Sequence, residues 1–428
     1  MRGQNGLEMR TLAILVVAGL NAVAAPGGSN FSWYQVDHPH PGVCVREPYG
    51  VIPNFDRPAA QAAIRTELAE MIQSGQRRLR IGIFHGHGFD TGTVMDSTGG
   101  DLSPDNRRNL AGLLAAAKAA GFIQVEIAFH PEGPAVREWT TWREDLYQEN
   151  WSLIRRLRPL VRAAGIPYLI DLSNEAIPDV RQPIVLRYAR TLWTDYTRAF
   201  GRADTVGFSV IGDPAHVNEI RAVYGDKPPY VFDIHFYGGT SGLNEYQQFR
   251  SANQLMLSRR LRQPWILGEV FYDDAGAAEL LSRAIAGSSR AVWWLTQWPL
   301  TRASACADVD VGEPTTFAAY SQAGFATAAV LEPSVASRAL RVDRHGYVAI
   351  RVRCDRSATP CSGTLALRVR RRTLPVRTYS VIPPRTTTLR VKLDHGRLWP
   401  RTGTVTLTAR SLDSDSTARR SLFVSIHH

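Results

Sequence analysis

The sequence predicts an α/β fold, a (β/α)8 TIM barrel followed by a small all-β sandwich, and three observations carry that prediction. Between residues 49 and 325, eight short apolar runs rich in β-branched and aromatic residues alternate with longer segments of helical period. After residue 325 the texture changes to alternating apolar and polar residues separated by turn residues, with no helical stretch. The rival for the first part, a doubly wound open sheet, normally has a Gly-rich phosphate turn after its first strand, and Phe55-Asp56-Arg57-Pro58 has none.

The strands are expected at 50–55, 79–84, 124–129, 168–172, 205–211, 230–236, 265–271 and 291–297. They read as continuous apolar runs because strands of such a barrel are buried on both faces. Helices are expected at 58–74, 104–120, 147–164, 183–200, 246–261 and 275–286, several of them ending where Gly or Pro forces a stop, as at Ala164-Gly165-Ile166-Pro167 and Phe200-Gly201. The later segments 347–353, 363–370, 387–393 and 403–409 alternate like half-buried strands and make a sandwich of about 95 residues. The domain reading is an export signal at 1–25, a barrel at 26–327 and an Arg-rich sandwich at 328–428.

With 428 residues, 44% hydrophobic and 21% charged, the chain is too apolar for a disordered protein, and four Cys are too few for a disulfide-built one. The net charge of +11 suggests a nucleic-acid partner until it is located. Residues 330–428 carry 19 Lys and Arg against 6 Asp and Glu, and residues 1–329 carry 31 against 33. The barrel is therefore nearly neutral, and no nucleic-acid partner is expected. The Arg-rich strand face of the tail suits an anionic polymer, such as an acidic glycan or a cell-wall surface. At the N-terminus, Arg2 and Arg10 precede an apolar run at 11–20 and the small-x-small triplet Ala22-Val23-Ala24, which reads as a cleavable export signal. A secreted monomer without membrane attachment after cleavage is the expectation, and in that setting disulfides are permitted. Cys354 and Cys361 are close enough for a bridged hairpin, and Cys44 and Cys306 form the remaining expected pair, with the connectivity left open by sequence.

The carboxyl ends of barrel strands line the active site in this architecture. Here they read His85-Gly86-His87-Gly88, His130-Pro131-Glu132, Ser173-Asn174-Glu175, His235-Phe236-Tyr237-Gly238, Gly268-Glu269 and Trp293-Trp294-Leu295-Thr296-Gln297-Trp298. Glu175 and Glu269 close otherwise apolar strands, where a carboxylate is costly unless it is paired or used. Glycosidic cleavage needs two carboxyl groups, one protonated to donate to the leaving oxygen and one ionised to attack. Strands four and seven face each other across an eight-stranded barrel, so the two side chains can approach to about 5 Å, the spacing of a retaining mechanism. On this reading Glu175 is kept protonated by the charge of Glu269, no cofactor or metal is needed, and carbohydrate is the partner. Two alternatives stand beside it: a metal-dependent hydrolase with His85 and His87 as ligands, joined by His130 and His235, and a non-catalytic carbohydrate-binding barrel.

This order of strand-end motifs resembles the clan A glycoside hydrolases, the retaining barrels of the cellulase, mannanase and β-xylosidase type, over roughly residues 49–325. The resemblance implies Glu175 as acid/base and Glu269 as nucleophile. It further implies Asn174 on the sugar 2-hydroxyl, Tyr237 orienting Glu269, His235 beside the acid/base, His130 among the sugar contacts, and Trp298 or Trp294 as the platform under the ring. Arg80 on strand two is implied as the cation that keeps the nucleophile ionised. The His-Gly-His-Gly end of strand two departs from the clan's pattern.

Overall fold

The computed structural model describes residues 26–35, 48–88, 90–132, 136–239, 242–302, 314–326, 332–335, 339–343, 345–355, 361–369, 372–373, 377–381, 386–392, 402–410 and 417–427. The expected export signal, Cys44 and Cys306 lie outside these residues. Only the backbone of Cys354 and Cys361 falls within them.

Eight parallel strands form one sheet, with helices between them. In chain order the barrel strands are Gly28–Asn30, Arg78–Gly86, Gln124–Pro131, Tyr168–Asp171, a fifth strand in two segments, Thr205–Gly207 and Val210–Ile211, then Phe232–Phe236, Trp265–Val270 and Val292–Gln297. The hydrogen-bonded order starts at Thr205–Gly207 and ends at Val210–Ile211. These end segments are two residues apart in the chain, so the sheet closes on itself. The break lies after Gly207, whose φ is +78° and where a Cβ would stand 2.4 Å from the Tyr224 hydroxyl; that hydroxyl accepts the Phe208 amide at 2.8 Å.

The first strand is not where the sequence suggested. Residues 50–55 form buried turns instead, with Val51, Ile52 and Phe55 at most 3% exposed. The Asn54 side-chain amide donates to the carbonyls of Pro48 and Gly50, both at 2.7 Å, and so satisfies backbone that has no ladder partner. The true first strand, Gly-Ser-Asn, pairs in parallel with the second and eighth strands. Three small and polar residues carry no readable β period.

The helices Pro58–Gln73, Pro104–Ala120, Glu144–Ala163, Pro183–Phe200, Glu245–Ser258 and Ala275–Ala286 fall where their periodicity predicts, and Pro214–Tyr224 adds one more. Caps are local: the side chains of Ser103, Asp213, Asn244 and Asp274 each accept the backbone amide three residues on. Outward-facing strand residues such as Ile81, Ile83, Val125, Ile127 and Phe129 join the helices in one large core. Inside the barrel a separate cluster of Leu169, Val206, Val231, Ile266, Trp293 and Trp294 forms an apolar layer.

The strands from Glu332 onward form two further sheets. Glu332–Val335, Tyr347–Asp355 and Thr386–Lys392 make a three-stranded antiparallel sheet, and Cys361–Val369 lies in a second sheet of six strands. Val348, Ile350, Val352 and Val391 from the first, and Leu365 and Leu367 from the second, are buried, as a sandwich requires. Cys354 and Cys361 therefore sit on successive strands of different sheets, not on one hairpin. Arg351, Arg390 and Lys392 are exposed on the three-stranded sheet. No described helix is long and apolar enough to cross a membrane.

Candidate active site

Strand register places a set of charged side chains inside the barrel. Residues paired in register point to the same side of a sheet, and the pairs Arg80 with Glu126 and Asp233 with Ile266 fix which residues face the axis. Arg80 lies at the centre, 1% exposed. Its Nη1 donates to Glu269 Oε1 at 2.7 Å and to Asn30 Oδ1 at 3.1 Å. Its Nη2 donates to Asp171 Oδ2 at 2.8 Å and Asn174 Oδ1 at 2.7 Å, and its Nε to Glu126 Oε1 at 3.2 Å, with Asp233 Oδ2 3.4 Å away. Burial would lower its pKa, but the carboxylates of Glu269, Asp233, Asp171 and Glu126 outweigh that and hold the guanidinium charged.

Glu269 is the last but one residue of the seventh strand, with Tyr237 donating to its Oε2 at 2.9 Å. The preceding Gly268 is required: a Cβ there would lie 2.1 Å from Asp233 Oδ1, which accepts the Gly268 amide at 2.7 Å. Glu175 follows the fourth strand with φ +50°, an uncommon conformation for a non-glycine residue and one that costs of order 1 kcal/mol. Neighbouring groups hold it there. Its amide donates to Ser209 Oγ at 2.7 Å, that hydroxyl donates to Asn174 Oδ1 at 3.2 Å, and the Asn174 amide bonds the Phe129 carbonyl at 2.8 Å. The result is a Glu175 side chain 24% exposed facing a Glu269 side chain 7% exposed.

His235 sits between them. Its Nδ1 is 2.8 Å from Glu175 Oε1 and 3.5 Å from Glu269 Oε2. One atom from each of Glu175, His235 and Glu269 lies within 4.8 Å of the others, which puts the two carboxylates at the short separation the sequence suggested. Burial would lower the His235 pKa, but Glu269, Asp233 and Glu175 hold it well above its ordinary value. That imidazolium lowers the Glu175 carboxyl pKa against the effect of burial. Burial raises the Glu269 carboxyl, with His235 and Arg80 restraining the rise. The groups that act most on the Glu175 carboxyl are thus burial, which raises it, and His235, which lowers it, rather than the charge of Glu269.

An aromatic wall flanks these carboxylates. Phe84 stacks on His130 with centroids 4.3 Å apart, His130 stacks toward Trp298 at 6.2 Å, and Trp33 meets Trp298 edge-on at 5.4 Å. Tyr237 packs against the same group, linking the wall to Glu269. Burial, then Arg80 and His235, hold the His130 pKa well below its ordinary value.

Of the expected site residues, Arg80, Asn174, Glu175, His235, Tyr237 and Glu269 converge, and His130 and Trp298 stand beside them. Trp294 does not. A bulge between Val292 and Leu295 turns both Trp293 and Trp294 into the apolar layer, where their rings stack at 5.9 Å and the Arg78 guanidinium lies 5.0 Å over Trp294. The two rings now predict different outcomes: Trp294→Phe lowers stability by about 1–3 kcal/mol in thermal melts, whereas, on the expectation of a carbohydrate partner, Trp298→Ala weakens saccharide binding roughly tenfold, equivalent to about 1.4 kcal/mol.

His85 and His87 do not meet as a ligand pair. His85 is buried, bonded through Nδ1 to Ser97 Oγ at 3.1 Å, and burial lowers its pKa to about 3. His87 is exposed and bonds Glu149 Oε2 at 2.8 Å. Two other sets have metal-ligand spacing, Glu175 with His235 and Glu269, and Glu126 with Asp171 and Asp233. In the first, an ion would have to replace the hydrogen bond between His235 Nδ1 and Glu175 Oε1. In the second, the Arg80 guanidinium already contacts all three carboxylates, at 2.8 to 3.4 Å. Sequence reasoning missed Asn30, Trp33, Phe84, Glu126, Asp171, Ser209 and Asp233. Reading inward positions along each strand, rather than only its last residues, would have found Glu126, Asp171 and Asp233.

No family model matches the chain, and no curated protein matches it. Among solved structures it is similar to a GH5_18 enzyme from Bifidobacterium longum subsp. longum in complex with Manβ1-4GlcNAc, at 12% identity over 75% of this chain and 83% of that one, TM-score 0.47. It is also similar to a β-mannanase from the blue mussel Mytilus edulis, at 11% identity over 71% and 91%, TM-score 0.44. The homocysteine methyltransferase MmuM from Escherichia coli is similar too, at 11% identity over 64% and 89%, TM-score 0.37. The chemistry rests on the side chains described above.

Proposed function

We propose that the protein is a retaining β-glycosidase acting on a poly- or oligosaccharide, with Glu269 as nucleophile and Glu175 as acid/base. One observation carries the reading: carboxylate oxygens from opposite sides of a closed barrel stand within 4.8 Å of each other at its carboxyl end. Retaining enzymes hold their carboxyl groups about 5–5.5 Å apart, and inverting enzymes leave a wider gap for water. Glu269 attacks the anomeric carbon while Glu175 delivers a proton to the departing oxygen. Glu175 then takes a proton from water as the water displaces Glu269. Arg80 and Tyr237 hold the attacking carboxylate in place and favour its charge. The wall of Phe84, His130, Trp298 and Trp33 offers the flat apolar surface on which the C–H face of a sugar stacks.

A screen of β-linked plant, fungal and bacterial polysaccharides, read by release of reducing ends and with Glu269→Gln as blank, tests the proposal. Release by the wild type alone supports it. Saturable binding without release, or release that a chelator abolishes and the blank shares, contradicts it. The export signal expected at 1–25 belongs to the same proposal, and the N-terminal sequence of mature protein from the culture medium tests it.

A further inference from the structure

Beneath the two proposed catalytic carboxyls lie three buried polar atoms without an ordinary hydrogen-bond partner: Glu126 Oε2, Asp233 Oδ2 and His235 Nε2. Buried polar atoms are rarely left unpaired, because each loses its hydration without regaining a partner. The three face one another. One oxygen each of Glu126, Asp171 and Asp233 lies within 4.8 Å of the others, and His235 Nε2 is 3.5 Å from Asp233 Oδ2. The other oxygens of the two carboxyls are already engaged, Glu126 Oε1 by Arg80 and Asp233 Oδ1 by the Gly268 amide.

Carboxyls buried this close to one another favour keeping a proton between them. One placement of protons satisfies all three atoms. Glu126 Oε2–H donates to Asp233 Oδ2, the imidazolium Nε2–H of His235 turns toward the same oxygen, and Nδ1–H donates to Glu175 Oε1. Charge points the same way. Arg80 is the one cation touching Glu126, Asp171, Asp233 and Glu269 among the described residues apart from His235, and all four carboxylates are at most 5% exposed. Burial and then the Asp233 charge push the Glu126 carboxyl well above the usual range.

We infer that Glu126 and Asp233 share a buried proton beneath Arg80, and that Asp233, held in this way, keeps His235 as the imidazolium from which Glu175 draws the proton it delivers. The inference deepens the glycosidase reading and rests on it for its catalytic half. The proton moves from His235 Nδ1 to Glu175 Oε1 along the 2.8 Å hydrogen bond, leaving a neutral imidazole and a carboxylic acid. Glu175 passes it to the leaving oxygen as Glu269 bonds to the anomeric carbon. In the second step Glu175 takes a proton from the attacking water and returns it to His235, so the cycle consumes no net proton. The titratable groups facing His235 are Asp233 on its own strand, Glu269 on the seventh, Glu175 after the fourth and His130 on the third, and Arg80 on the second acts on Glu175 beside it. His216, after the fifth strand, acts on Glu175. Glu126 and Asp233 are thus positioning residues: they act on the reaction through His235.

The test uses the full-length protein with 15N-labelled histidine, the His235 signal being identified by its loss in His235→Asn. In the wild type both ring nitrogens of His235 should read as protonated at pH 8, well above the ordinary histidine pKa of about 6.5. Asp233→Asn should turn that signal to neutral imidazole. It should also move the basic limb of the kcat/KM profile to lower pH by at least about one unit, because removing an adjacent anion lowers the pKa of the proton that Glu175 and His235 share. Glu126→Gln keeps an N–H donor toward Asp233 and should leave that limb where the wild type has it, whereas Glu126→Ala moves it. A wild-type His235 that titrates near 6.5 overturns the inference whether or not the variants fold, and so does an Asp233→Asn protein with an unmoved signal. If no glycan is cleaved but the imidazolium signature is present, the proton placement stands and the glycosidase reading fails.

Discussion

Replacing Glu269 by Gln is expected to lower turnover on the best substrate by on the order of 10^4-fold or more, the scale seen when one member of a covalent catalytic unit is removed. The amide keeps the size of the side chain and can still accept from Tyr237, which donates at 2.9 Å in the wild type. It cannot form a glycosyl ester. Stability should change little or rise, because the carboxylate is buried close to Glu175 and the substitution relieves a like-charge contact. Arg80 keeps its bonds to Asp171, Glu126 and Asn174 in the variant. Initial rates and thermal melts on the same preparations check both halves. More than about a tenth of wild-type activity in a folded variant contradicts the assignment of the nucleophile.

The second large effect is on stability. Arg80→Met removes the guanidinium that touches four buried carboxylates, at 2.7 Å for Glu269, 2.8 Å for Asp171, 3.2 Å for Glu126 and 3.4 Å for Asp233. Breaking a buried pair by deleting one partner costs about 3–5 kcal/mol, because uncompensated charge stays behind. Against a total stability of about 5–15 kcal/mol, this loss leaves a marginal protein at neutral pH. The pH dependence has a definite sign. Glu126, Asp171 and Glu269 already have raised folded pKa values, with burial as the first cause, and Arg80 restrains the rise in each. Without Arg80 they rise further above their unfolded values of about 4. The folded variant then binds more protons than the unfolded chain between those two limits, so its stability falls as pH rises through that window. Denaturant melts should show Arg80→Met recovering toward the wild type as pH drops from 7 to 5. A variant as stable as the wild type at pH 7, or one that gains stability with rising pH, contradicts this account of the barrel interior.

Much of this site was legible because its chemistry clusters at strand ends. Asn174 with Glu175, His235 with Tyr237, and Glu269 each close an apolar run, and a polar residue at the end of an otherwise apolar strand has to be explained. Most helices were equally plain, since Pro starts and Gly stops bound a 3.6-residue period. Pro214–Tyr224 had the same signature in Asp213-Pro214 and was missed between two strands. What stayed hidden depends on register and strand interruption. Glu126, Asp171 and Asp233 lie within strands beside apolar neighbours that face the helices. Only the register pairs of Arg80 with Glu126, Glu126 with Leu169 and Asp233 with Ile266 show them turned toward the axis. Gly28–Asn30 is too short to show a period, and its loss from the sequence reading removed Asn30 and Trp33 from view. The bulge that buries Trp294 is a one-residue event no alternation pattern encodes. The expected Cys354 and Cys361 hairpin failed for a similar reason: two strands close in sequence went to different sheets.

The most direct test of the central claim, that Glu269 attacks a sugar held between two facing carboxyls, is mass spectrometry of the wild-type protein after reaction with a 2-deoxy-2-fluoro-β-glycoside of the preferred sugar bearing an activated leaving group. The account predicts one added sugar mass per chain, mapped by peptide digestion to Glu269 and absent from Glu269→Gln. An adduct on another residue, or turnover of the natural substrate with inverted anomeric configuration and no adduct, would contradict it.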